Sequence, residues 1–134
     1  MWLITTFGYF SIVEKNADRQ AGTLTIRCRV RRDLETLKQR YLPMLSAIDD
    51  SSGADYPYRA TARRADVAQA FAQAIMDVTY SNIKAEIAGQ QGIDRARICS
   101  EAWMKMRKLQ ELDAVAWSNP MVGQRQLANP IESA

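Results

Sequence analysis

Residues 24–31 read Leu24-Thr25-Ile26-Arg27-Cys28-Arg29-Val30-Arg31. Apolar and polar side chains alternate through all eight positions, and a period of two is the period of a β-strand. Leu24, Ile26, Cys28 and Val30 therefore face a core, while Thr25, Arg27, Arg29 and Arg31 lie on the opposite face of a half-buried strand. Such a strand needs a sheet beside it and something apolar beneath it.

The next residues along the chain supply the cover. Asp33 suits a helix N-cap, Leu34, Leu37 and Tyr41 step at helical spacing, and Pro43 stops the run, which predicts a short helix. Asp49, Asp50, Ser51, Ser52 and Gly53 read as an exposed loop. A further strand is expected over Asp55 to Arg63, with Pro57 marking an edge or a strand start. Asp66 then caps a helix whose stripe is Val67, Phe71, Ala74, Ile75 and Val78. The strand–helix–strand link from Cys28 to Tyr58 is expected to be a right-handed crossover joining parallel strands.

On the N-terminal side, Trp2 to Val13 reads as one strand with a bulge or close approach at Gly8, and Glu14 to Gly22 as a hairpin loop. Along that strand Trp2, Ile4, Phe10 and Ile12 share one face and Leu3, Phe7, Tyr9 and Val13 the other. On the C-terminal side, a short helix over Tyr80 to Ala88 ends at Gly89 to Gly92. Asp94 opens a long helix with a stripe at Ile98, Ala102, Met106 and Leu109, reaching about Leu112. The expected architecture is a single α+β domain over residues 1–112: a small mixed three-stranded sheet, helices mainly on one face, and a long C-terminal helix. Residues 113–134 are expected to form a loose tail.

Several short stretches, taken together, resemble a widespread family of small, uncharacterised bacterial single-domain proteins. They are Trp2-Leu3-Ile4-Thr5 with Gly8-Tyr9-Phe10-Ser11, Asp55-Tyr56-Pro57-Tyr58-Arg59, Tyr80-Ser81-Asn82-Ile83-Lys84, Gln91-Gly92, and Trp103 with Leu109-Gln110-Glu111. The resemblance spans about residues 1–111 and implies a bacterial, stand-alone domain with no activity attached. It departs at Ile83, where an aromatic residue is expected, and at Gln90, where arginine is expected.

Composition narrows the function classes. The 134 residues are 47% hydrophobic and 25% charged, with four prolines and six glycines, as in folded globular chains. There is no histidine, which excludes histidine-based triads and histidine metal ligands. Cys28 and Cys99 read as small buried hydrophobes, no metal-ligand spacing or Gly-rich phosphate loop is present, and no cofactor is expected. With no long apolar run and no signal-peptide pattern, the expectation is a cytoplasmic protein without a membrane partner.

The charge is regional. Thirteen of the eighteen basic residues are arginine, and from Arg19 to Arg64 there are ten basic against five acidic residues, net +5. Arginine is the forked donor that matches phosphate and carboxylate. Arg27, Arg29 and Arg31 on one strand face are spaced about 7 Å apart, near the spacing of successive phosphates, and Arg59 and Arg63 extend the row. Asn82 and Lys84, in the first turn of a helix, form a second candidate anion site, against the simpler reading of a capped helix. The function expected from these residues is a small protein that binds nucleic acid or another phosphate-bearing ligand. Two alternatives stand beside it: an adaptor or inhibitor gripping an acidic protein surface, and a His-free nuclease or phosphodiesterase using Asp55, Tyr80 and Lys84. Self-association as a homodimer is left open.

Overall fold

In a computed structural model, the structure describes residues 1–51 and 53–118. The fold is α+β. Strands β1 (Trp2–Thr5) and β2 (Gly8–Val13) are followed by helix α1 (Asn16–Ala21), strand β3 (Thr23–Cys28), helix α2 (Arg31–Arg40) and strands β4 (Asp49–Asp50) and β5 (Tyr58–Arg63). Helices α3 (Arg64–Met76), α4 (Ile83–Gln91), α5 (Ile93–Met106) and α6 (Lys108–Ser118) complete the chain as described. Two compact units divide between Ala96 and Arg97.

In the first unit the sheet has five strands in the order β1-β2-β3-β5-β4, and every pairing is antiparallel. The expected three-stranded mixed sheet is corrected on two counts. The first expected strand is a hairpin: Thr5 pairs with Gly8, and the chain reverses through Thr6 and Phe7, where the Thr5 hydroxyl donates to the Gly8 carbonyl at 2.7 Å. The reversal also reassigns the faces, because directly paired residues share a side. Leu3 joins Phe10 and Ile12 toward the core, while Trp2 and Ile4 join Tyr9 and Ser11 on the other face. Gly8 is a close approach, as its place in the sequence suggests: a Cβ there would lie 2.7 Å from Phe10 Cζ and 2.8 Å from Asp33 Cβ.

The second correction concerns the crossover. Cys28 pairs with Tyr58 antiparallel, because the strand that follows α2 is Asp49–Asp50 and not Tyr58–Arg63. Since β3 and β4 both run antiparallel to β5, they run parallel to each other, one place apart. The helix therefore carries the chain past a vacant position, and the turn from Ser51 to Pro57 returns β5 into it. Ser51 N–H donates to the Pro57 carbonyl at 2.7 Å across that turn. Pro57 stands just before β5, where its missing N–H costs no ladder bond.

One face of the sheet holds the core. Phe10, Ile12, Ile26, Cys28, Ala60 and Ala62 pack against Leu34, Leu37, Leu42, Leu45, Val67 and Ala70. Phe7 links the elements through ring centroids 5.6 Å from Phe10, 5.1 Å from Tyr41 and 6.5 Å from Phe71. The α3 stripe is Val67, Ala70, Phe71 and Ala74; of the expected stripe, Val67, Phe71 and Ala74 pack on the core, while Ile75, 71% exposed, and Val78, 48% exposed, do not. Helix α3 ends at Met76, which leaves Val78 outside it, and Ile75 and Met76 in its last turn are both exposed. Val30, expected in the core, is exposed, because the chain leaves the sheet at Cys28.

The Glu14–Gly22 connection is a helix rather than an open loop. Asp18 is 3% exposed and accepts from Thr23 Oγ1 at 2.6 Å, Thr25 Oγ1 at 2.7 Å and Lys15 N–H at 2.8 Å. Thr23 and Thr25 alternate with the core residues of β3, so α1 covers one end of the opposite face.

The second unit, by itself, carries the rest of α5 and all of α6 as described. Residues 113–118 continue α6, and the expected tail beyond them lies outside the described residues. Cys99 is buried, and Arg107 lies over the Trp103 ring at 5.6 Å. Among the described residues no helix is long and apolar enough to cross a membrane.

Candidate functional site

The face of the sheet away from the core has a row that the register defines. Trp2 pairs with Ser11, Ser11 with Arg27, Arg27 with Arg59, and Arg59 with Asp49, one residue from each of the five strands. Within it two arginines stand directly opposite each other, a like-charge pairing that costs stability in a sheet. The fold accommodates them with neutral groups. Arg27 Nη2 donates to Ser11 Oγ at 2.7 Å, and Arg59 Nε donates to the Tyr56 carbonyl at 3.2 Å. The Tyr56 ring then serves two guanidinium groups, Arg27 at 4.7 Å and Arg29 at 4.5 Å from its centroid. Arg27 Nε is buried and has no hydrogen-bond partner. Among the described residues no carboxylate lies within 4.0 Å of the guanidinium groups of Arg27, Arg29 or Arg59.

The other expected site residues do not join this cluster. The arginine ladder is broken after Cys28, so only Arg27 projects from the strand, which corrects the expectation of three on one face. Cys28 Sγ donates to the Val30 carbonyl at 2.9 Å, and Asp33 N–H donates to the same carbonyl at 3.0 Å, which starts α2. Arg31 consequently sits at the first position of α2 and pairs with Glu35 at 3.0 Å, one turn along. Arg63 closes β5 and pairs with Asp66 at 3.0 Å. Asn82 is the N-cap of α4, its Oδ1 accepting from Lys84 N–H at 3.0 Å and Ala85 N–H at 3.2 Å, so capping employs that side chain. Lys84 lies in the first turn of the same helix, Tyr80 precedes it, and Asp55 is exposed in the turn before β5.

The sequence reading missed the Asp33 cluster. Asp33, expected as an N-cap, is instead the third residue of α2 and 4% exposed. Its carboxylate accepts from Tyr9 N–H at 3.1 Å and from Arg95 Nη1 at 2.7 and 2.8 Å. Arg95 lies 5.3 Å from the Tyr9 ring, whose hydroxyl donates to the Arg95 carbonyl at 3.1 Å. No local spacing announces a contact between residues 33 and 95.

Neither cysteine is placed for nucleophilic chemistry. Burial, with the Asp33 charge adding to it, pushes the Cys28 thiol up to about 11. Among the described residues no group of three Cys, Asp or Glu could hold a metal ion. Compared with protein families, curated proteins and solved structures, the chain matches none.

Proposed function

We propose that this protein binds a phosphate-bearing ligand, single-stranded nucleic acid first, on the Arg27–Arg29–Arg59 face of its sheet. The observation that carries the reading is the like-charge pair: Arg27 and Arg59 are held directly opposite with Arg29 beside them, and although Asp49 faces Arg59 across the next strand, no carboxylate lies within 4.0 Å of the three guanidinium groups among the described residues. Three guanidinium groups held about one tyrosine are pre-arranged for phosphate oxygens, which a planar guanidinium fork can engage with two hydrogen bonds at once. Trp2, 75% exposed, lies two strands along the same row, about 10 Å from Arg27, where a base could stack on it.

Fluorescence anisotropy with a labelled single-stranded 12-mer tests the reading. An Arg29→Gln/Arg59→Gln double variant is expected to weaken binding at least tenfold, Trp2→Ala to weaken it about fivefold or more, and Arg63→Gln, already paired with Asp66, to leave it near wild type. Equal affinity of the double variant and the wild type would overturn the assignment. Absent oligonucleotide binding, together with capture of a polyglutamate peptide that the double variant loses, would favour an acidic protein partner instead.

A further inference from the structure

A second polar concavity lies away from the arginine row, in the first unit. It is a cleft of about 190 Å³ between the Thr6–Phe7 turn, one side of α2 and the α4–α5 junction. Arg32, Thr36 and Arg40 line it from α2 at four-residue steps, which place them on one helix face over about 12 Å. Arg95 lines it from the first turn of α5. Neither Arg32 nor Arg40 has a hydrogen bond or an ion pair among the described residues. The threonine between them offers no carboxylate, whereas Arg31 on the neighbouring face has Glu35 one turn along.

The walls are organised independently of any ligand. Arg95 spends one nitrogen on Asp33, and the Asp33 carboxylate is also tied to Tyr9 N–H, which locks the floor of the cleft. Gln91 donates its side-chain amide to the Thr6 carbonyl, joining the α4 end to the hairpin turn. Gln90 gives its amide to Glu86 at 2.9 Å, outside the lining. Counting Arg32, Arg40 and Arg95 against Asp33, the lining carries a net charge of +2. The remaining side-chain donors are guanidinium N–H groups and the Thr6 and Thr36 hydroxyls, and the volume is smaller than the roughly 300–1,000 Å³ of an ordinary small-molecule pocket.

We propose that this cleft is a binding site for a compact dianion, a phosphate group free or carried on a small molecule, gripped by Arg32 and Arg40 and oriented by Arg95. The site is separate from the sheet-face reading and stands if that reading fails. It is tested by calorimetric titration of the full chain with inorganic phosphate at constant ionic strength, with chloride as the reference anion. Saturable binding with a Kd below about 1 mM is expected. Arg32→Gln and Arg40→Gln, both at exposed positions, should each weaken it about tenfold with unchanged far-UV circular dichroism, while Arg31→Gln, already paired with Glu35, leaves it within about twofold. A parallel titration with a single-stranded 12-mer lacking terminal phosphates separates the two phosphate sources. No saturation by 10 mM phosphate, affinities indifferent to Arg32 and Arg40, or loss of oligonucleotide rather than phosphate binding in those variants would each overturn the proposal.

Discussion

Asp33 shows how much a single buried carboxylate can hold together. It receives the Tyr9 backbone N–H and the Arg95 guanidinium, and so ties β2, α2 and the start of α5 at one point. Removing it leaves a buried N–H and a half-buried guanidinium without their acceptor. Asp33→Ala is expected to cost about 2–4 kcal/mol in denaturant unfolding, against under about 1 kcal/mol for Asp66→Ala, whose partner Arg63 is exposed. Asp18 makes the matching case for pH. Burial works against its charged form, but the hydroxyls of Thr23 and Thr25 and the Lys15 N–H outweigh it and hold the carboxylate below its usual value of 3.8. The unfolded chain therefore takes up the proton first as pH falls, so this contribution is complete above about pH 4 and is lost below it, as pH drops toward the folded value. Thermal midpoints from pH 2 to 6 should fall less steeply on the acid side in Asp18→Asn than in the wild type, from a lower plateau. At Cys28, a thiol pushed up to about 11 predicts alkylation in the native state no faster than global or local opening allows, measured as iodoacetamide labelling with and without denaturant.

At the scale of elements, what could be read from the chain is what periodicity encodes. Leu24 to Cys28 announced β3, Leu34 and Leu37 announced α2, and Val67, Phe71 and Ala74 announced α3, because each pattern is a local consequence of burying one face. The pieces that escaped are those with no pattern to show. β4 is two aspartates long and is defined by its partners Arg59 and Tyr58 rather than by its own residues. The Thr6–Phe7 reversal contains no Gly or Asn pair of the kind that marks a tight hairpin, so the first two strands read as one. The sequence pattern of α3 runs on past the buried stripe, because its three- and four-residue spacing continues through Ile75 and Val78, which are exposed, Val78 lying beyond the helix end at Met76. That difference is measurable. Phe71→Ala, which removes a ring packed 6.5 Å from Phe7 and 5.8 Å from Phe10, is expected to cost about 2–4 kcal/mol, whereas Ile75→Ala should cost under about 0.5 kcal/mol in the same titration.

For the molecule as a whole, the candidate site was legible in kind but not in arrangement. An excess of arginine between residues 19 and 64 was visible in composition, yet which of them converge depends on where the chain leaves the sheet. Departure at Cys28 sends Arg31 to a helix and a Glu35 partner, and antiparallel return of β5 brings Arg59 opposite Arg27. The resulting charge sits between two protected features: a short acidic edge at Asp49–Asp50 and the α1 cover over Thr25. Neutralising three backbone phosphates of a single strand gives a log–log slope of affinity against salt near −2, and losing one arginine flattens it by about 0.7. The decisive measurement is therefore the affinity of the full chain for a single-stranded 12-mer between about 50 and 300 mM NaCl, for the wild type and Arg29→Gln. A slope near −2 that Arg29→Gln reduces by about 0.7 is the predicted result; an affinity indifferent to salt, or a slope indifferent to Arg29, would contradict it.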